Sequence, residues 1–331
     1  MVVMVNTSPL LSLPGMEEDL VRLEPDLRQA VKSGDGFLDE VTTHLINAGG
    51  KRLRPSLALA AATGGAGGAG HDDLQGAVAV ELVHLASLYH DDVMDEATMR
   101  RNVESVNARW GNLVAIVAGD FLLARSAEIA ASLGTEIAAL LAHTLGKLCE
   151  GQVSEVRSAF DTGRSEQQYF SAIAGKTAAL MSTSCRIGGI TGGRPRAEIE
   201  ALTAFGRSFG LIFQLRDDLL DVLGTDEELG KPAGQDLAEG IYTLPVLLAL
   251  RDPVLGPELE ALLGRPLGQP ERDKAKAMVS SSSAVGETLS AAARFVDEAA
   301  QAAHGLTPPR LARSMAALAR GLLDDLPPAA G

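Results

Sequence analysis

Two D-D-x-x-D clusters hold the residues best suited to chemistry. Asp91, Asp92 and Asp95 stand in HDDVMDEATMRR; Asp217, Asp218 and Asp221 stand in FQLRDDLLDV. In a helix, residues four apart lie on one face, separated by about one turn. Asp91 then stacks on Asp95, and Asp217 on Asp221. Stacked carboxylates repel unless they are protonated or bridged by a cation. Magnesium takes oxygen ligands and is usually held by one or two carboxylates plus substrate phosphates. Sparse carboxylates on two facing helices match that habit better than a calcium cage, and no EF-hand loop is present. One cluster alone would read as a solvated acidic face. Both, however, follow apolar helix, LASLY before the first and LIFQL before the second. Exposed faces do not normally carry apolar residues on most sides. His84 precedes Asp91 by nearly two whole turns and shares its face. A lone histidine is more often a structural hydrogen bonder, but this one lies along the metal-binding face.

Charge of the opposite sign concentrates in GGKRLRP, where glycines precede Lys51, Arg52 and Arg54. Three cations at a helix start make an anion site. The alternative is a solvated basic helix end or a nucleic-acid contact, and the formal net charge of -14 favours a phosphate-sized ligand. Arg100 and Arg101 follow the first acidic cluster. Adjacent side chains on a helix do not share a face, so the two can serve different anions. Lys176 in AGKTAAL and Lys231 in LGKPAGQD add candidates, although either lysine alone reads more readily as surface.

The elements that must position these residues are helical. Apolar residues make up 46% and charged residues 22% of the 331 residues, which suits a globular protein with a substantial core. Alanine and leucine, strong helix formers, dominate, and no alternating Val/Ile/Thr runs argue for strands. Residues 1–15 read as a loose N-terminal arm, and 16–331 as a single all-α domain around a central cavity. Helical spacing covers 17–32, 37–46, 53–62, 71–97, 106–133, 136–159, 167–190 and 197–223. Residues 63–70 and 224–240 read as connections, and helices interrupted at prolines fill the remainder. Two cysteines, Cys149 and Cys185, exclude a disulfide framework and read as reduced thiols. The N-terminus has no basic region before its apolar residues and is a poor match to a signal peptide. No uncharged apolar run reaches bilayer-spanning length. The expected compartment is the cytoplasm, with neither nucleic acid nor a transmembrane segment involved.

In order along the chain, GGKRLRP, His84 with DDVMD and RR, KTA, FQLRDDLLD, GKPAGQDLAEG and TLP resemble the trans-isoprenyl diphosphate synthases, or polyprenyl synthetases. The resemblance spans roughly residues 23–323. It implies the helical isoprenoid synthase fold with a deep central cavity, usually as a homodimer. It also implies head-to-tail condensation of isopentenyl diphosphate with an allylic diphosphate of C10–C20, with three magnesium ions once substrate is bound. In that reading Asp91 and Asp95, supported by Asp92, and Asp217, with Asp218 and Asp221 nearby, are the metal carboxylates. Arg100, Lys176 and Lys231 match residues that hold the allylic diphosphate. Lys51, Arg54, His84 and Arg101 match the isopentenyl diphosphate site. Thr177 and Gln214 match positions facing the developing allylic cation. The lower-ranked alternatives are a class I terpene cyclase, which would normally carry N-D-x-x-S-x-x-x-E as its second motif, and a non-catalytic regulatory subunit, which would be expected to lose one or both acidic clusters; this chain repeats D-D-x-x-D and keeps both.

Two departures stand out. The family often reads R-R-G-x-P-T-x-N where this chain has Arg101-Asn-Val-Glu-Ser-Val-Asn107, and often E-G-K before T-L-P where this chain has Ile241. A different turn and one fewer diphosphate contact are expected. In the family, residues four and five before the first aspartate help set product length, and bulky aromatics there shorten it. Ser87 and Ala86 are small, which favours a product longer than C20, with C20 the alternative.

Overall fold

Alanine- and leucine-rich stretches with few β-branched runs form helices almost throughout. The computed structural model describes residues 6–64, 68–229 and 232–327. In chain order the first elements are α1 Ser8–Leu11, α2 Met16–Ala30, α3 Gly36–Asn47, α4 Leu53–Thr63 and α5 His71–Met94. A hairpin of β1 Met99–Arg100 and β2 Val103–Glu104 follows, then α6 Val106–Trp110, α7 Asn112–Ser132, α8 Thr135–Arg157 and α9 Glu166–Ile173. A π-helical turn over Ala174–Ala178 leads into α10 Ala179–Thr191 and α11 Arg196–Leu223. The short α12 Asp226–Leu229, α13 Gln235–Ala238, α14 Leu244–Ala249 and α15 Leu255–Leu262 precede α16 Gln269–Ser280, α17 Ser283–Ala303 and α18 Pro309–Arg320.

The helix α5 packs on α4 and α7, α10 packs on α4 and α11, and α11 packs on α17. The larger core contains Leu57, Val80, Tyr89, Phe205 and Phe209. A second core, around Tyr169, Leu215, Tyr242 and Leu247, lies under α14 to α17. Each fully buried leucine or phenylalanine contributes about 1.5–3 kcal/mol. The Tyr89 hydroxyl donates to the Val41 carbonyl at 2.7 Å and so ties α5 to α3. The first aspartate cluster therefore occupies the last turn of a helix anchored on both sides.

Several expectations need correction. The described part of the N-terminal arm is not loose: Leu10 and Leu13 are buried in the main core, and α1 lies against α18. Residues 106–133 divide at Gly111 into α6 and α7, and 167–190 is interrupted by the π turn. The stretch 224–240 carries one-turn helices among its described residues. Residues 98–105 form a hairpin with Met99 opposite Glu104 and Arg100 opposite Val103. Arg101 and Asn102 take φ of 53° and 62° at its tip, as a two-residue hairpin turn requires.

Candidate active site

Asp91 and Asp95 close α5, with Asp95 as its C-cap. Helix C-termini carry negative dipole charge, so carboxylates there are unfavourable without a cation. Asp91 lines an apolar cavity of about 450 Å³ together with Ser87, Met94, Leu148, Gln152 and Lys176. Burial pushes its carboxyl up to about 6; Lys176 opposes that rise, and Asp95 adds to it. Asp92 sits about 100° further round the helix and is fully buried. Its Oδ1 accepts from Arg100 Nε at 2.7 Å and forms an ion pair with Arg100 Nη2 at 2.6 Å. Its Oδ2 is buried without a hydrogen-bond partner. Asp92 thus holds Arg100, while Asp91 and Asp95 make up the open edge.

The second cluster is held differently. Asp217 is half exposed and lies 3.4 Å from Arg216 Nη1. Asp218 is buried; its Oδ1 accepts from Gln214 Nε2 at 2.9 Å and its Oδ2 from the Tyr169 hydroxyl. Burial raises the Asp218 carboxyl to about 7 against those two hydrogen bonds. Asp221 accepts from the backbone N–H groups of Gln235 and Asp236, each at 3.2 Å, and so holds the start of α13. All three expected metal carboxylates here bind protein groups, but only Asp218 and Asp221 do so while buried, and Asp217 is half exposed.

Between these clusters lie the basic residues. A cavity of about 600 Å³ is lined by Lys51, Arg54, Glu81, His84 and Arg101. Arg52 lines this cavity too, but its guanidinium is committed to protein acceptors. It is buried, and its guanidinium is taken by Glu24 at 2.7 Å, Glu81 at 3.0 Å and the Ile46 carbonyl at 3.1 Å. Arg101 donates to the carbonyls of Leu45, at 3.1 Å, and Gly49. Arg100 and Arg101 do point to different partners, but because a hairpin turns the chain between them rather than a helix. His84 is held neutral, its pKa driven well down by burial and by Arg54, Arg101 and Arg100; it can then offer one N–H donor. Burial pushes the Arg54 guanidinium down to about 10, and both Asp91 and Asp217 act on it electrostatically. The two acidic clusters therefore flank one basic pocket.

Lys176 sits where the sites meet. It lines the apolar cavity beside Asp91 and a smaller one beside Asp218, and it pairs with Glu155. The π turn carries it there, packed backbone to backbone on α8. A Cβ on Gly151 would meet Lys176 N at 2.5 Å, and one on Gly175 would meet Lys147 O at 2.7 Å, so only glycine allows this crossing. Thr177 Oγ1 donates to Gln214 Oε1 at 2.8 Å. Thr177, Gln214, Asp218 and Tyr169 thus form one hydrogen-bonded chain. Ser87 faces the apolar cavity, but Ala86 is fully buried in the main core and is not among the residues lining it. Lys231 lies outside the described residues. Sequence motifs overlooked Arg164, a buried loop residue on the wall of the smaller cavity with Ile241; no spacing rule marks it.

Among the described residues, no three acid, histidine or cysteine side chains are gathered closely enough to hold a metal alone. The arrangement fits an ion shared with substrate phosphates. The Asp91 carboxyl, raised by burial and by Asp95, is a group that a bound cation would stabilise in its ionised form.

A family model described as polyprenyl synthetase matches residues 35–280. The heptaprenyl diphosphate synthase component 2 of Geobacillus stearothermophilus is 38% identical over 321 residues, covering 94% of each chain. The nonaprenyl diphosphate synthase of Mycobacterium tuberculosis is 42% identical over 249 residues, 74% of this chain and 72% of that one. Among solved structures, a polyprenyl synthase from Caulobacter crescentus complexed with calcium and isoprenyl diphosphate superposes with a TM-score of 0.89 at 32% identity. The match covers 99% of this chain and 100% of that one.

Proposed function

The chain belongs to the polyprenyl synthetase family and is a prenyltransferase, and we propose that it adds isopentenyl diphosphate head-to-tail to an allylic diphosphate until the product exceeds C20. The observation that carries this reading is the apolar cavity of about 450 Å³ opening beside Asp91 and Lys176. Chemistry at its mouth can then feed a growing hydrocarbon into its walls.

Lys176 and Arg100 hold the allylic diphosphate. Lys51, Arg54, Arg101 and neutral His84 hold the isopentenyl diphosphate. Asp91, Asp95 and Asp217 would hold magnesium, three ions with substrate bound, and the metal supplies charge neutralisation to the departing diphosphate. The side chains of Arg100 and Lys176 add to that neutralisation where charge develops. Thr177 Oγ1 and Gln214 Oε1 face the carbon that becomes cationic, and the apolar wall keeps water from it. The double bond of the second substrate then attacks, and the proton lost from the adduct passes to the released diphosphate.

No helix among the described residues is long and apolar enough to cross a membrane, and the cytoplasm is the proposed compartment. Leu113, Ile116 and Val117 on α7, with Val153 and Val156 on α8, are exposed; a second copy covering that apolar face is the proposed assembly. The Geobacillus relative is one numbered component of its synthase, so the assay uses this chain alone to test whether it suffices. With magnesium, isopentenyl diphosphate and C10, C15 or C20 primers, mass spectrometry should show products beyond C20. Products stopping at C20 would correct the length, and no elongation from any primer would refute the reading.

A further inference from the structure

Arg164 directly precedes Ser165, the N-cap of α9, and is 5% exposed. Its Nη1 donates to the Tyr242 carbonyl at 3.2 Å, and its guanidinium carbon lies 5.6 Å from the centre of the Tyr169 ring. Its Nε and Nη2 are buried with no hydrogen-bond partner. Unpaired donors on a buried cation are costly, so an anion is the natural complement.

The small cavity that Arg164 faces is lined also by Glu155, Lys176, Gln214, Asp218, Asp236 and Ile241. Glu155 is already engaged by Lys176, and Asp218 by Tyr169 and Gln214, while both act on Arg164 electrostatically. The loop holding Arg164 is fastened on both sides of Ile241. Phe160 N donates to the Gly240 carbonyl at 2.8 Å, and Arg164 takes the Tyr242 carbonyl. Gly240 has φ of 75°, and a Cβ there would sit 2.4 Å from the Phe160 ring, so only glycine permits this docking. A cation on the loop is thereby fixed next to an uncharged side chain on the neighbouring segment.

We infer that Arg164 is a diphosphate-binding residue: with Lys176 it grips the diphosphate of the allylic substrate and supplies the positive charge that Ile241 lacks. A guanidinium offers two parallel donors to phosphate oxygens, matching the two nitrogens left unpaired. The inference deepens the allylic-diphosphate reading above and rests on it. A purely structural role, steadying Tyr169 and Tyr242, is the competing account.

The test measures binding of the unreactive farnesyl thiolodiphosphate with magnesium by calorimetry, which needs no turnover. A protein that bound this ligand but elongated nothing would therefore fail the proposed function while leaving Arg164 tested. In Arg164→Leu, affinity should fall about tenfold or more, with isopentenyl diphosphate affinity kept within about twofold of wild type. The swap Arg164→Leu with Ile241→Lys should recover most of the loss. If Arg164→Leu does not fold, Arg164→Gln replaces it in both arms. Unchanged affinity, equal losses for both ligands, or no recovery in a folded swap would overturn the inference.

Discussion

The two aspartate clusters share one spacing and both lie in the closing turns of long helices, but the protein holds them in opposite ways. In the first, Asp91 and Asp95 form an open edge, and only Asp92 is engaged, by Arg100. In the second, Asp218 and Asp221 bind Tyr169, Gln214 and the start of α13, and Asp217 alone is half exposed. Identical spacing therefore fixes which residues share a helix face, but not which of them remain available. Availability is decided by what packs opposite: a cavity beside α5, and the second core with α13 beside α11.

That difference predicts separable losses. Asp217→Ala should lower turnover by about 10²–10³-fold with little change in stability, as urea unfolding would show; a large stability loss would place Asp217 in the frame instead. Asp218→Ala should cost about 2 kcal/mol of stability, because the buried Tyr169 hydroxyl and the Gln214 amide lose their acceptor. An unfolding midpoint equal to wild type would show that this hydrogen-bonded chain carries no weight.

Proton competition sharpens the contrast further. The Asp91 carboxyl is raised from 3.8 to about 6 in the fold, so the protein bears a cost for ionising it. That cost is absent below the unfolded value and complete above about 6. A divalent cation relieves it only when the group is ionised. With an unreactive allylic thiolodiphosphate present, added magnesium should therefore raise the melting temperature by a few degrees more at pH 7.5 than at pH 5, and Asp91→Asn should abolish the difference. An equal shift at both pH values would place the metal elsewhere.

The smallest effect on rate is expected one turn below Asp91. Ser87→Phe should shorten the product, read by mass spectrometry, while leaving initial turnover within a few-fold, because it fills the cavity a turn below Asp91 and leaves both acidic clusters intact. Ala86→Phe, in contrast, enters a packed core and should cost about 1–3 kcal/mol of stability. Unaltered product length in Ser87→Phe would sink the assignment of that cavity to the growing chain.

Much of this was legible in the sequence because helix spacing is written in side-chain type. The long helices, the shared face of His84, Asp91 and Asp95, and the concentration of cations near residue 51 all follow from it. Other features leave no periodic trace. The hairpin at 99–104 is two residues per strand, too short to alternate. The π turn changes the hydrogen-bond register beneath an unchanged apolar pattern. Arg52 looks like its neighbours in GGKRLRP, yet Glu24 and Glu81, distant in sequence, occupy its guanidinium although it lines the same cavity. Arg164 sits in a loop, where its partners come from a segment 78 residues away.

The central claim is that the open carboxylates, Asp91 and Asp95 with Asp217, do the chemistry while the buried and engaged Asp218 and Asp221 frame it. Its most direct test is magnesium-dependent incorporation of isopentenyl diphosphate by Asp91→Asn and Asp221→Asn, measured beside their urea unfolding midpoints. The account predicts that Asp91→Asn folds at least as stably as wild type and loses turnover by about 10²-fold or more, while Asp221→Asn loses stability and, where folded, retains far more turnover. Equal losses of turnover in two equally stable variants would contradict it.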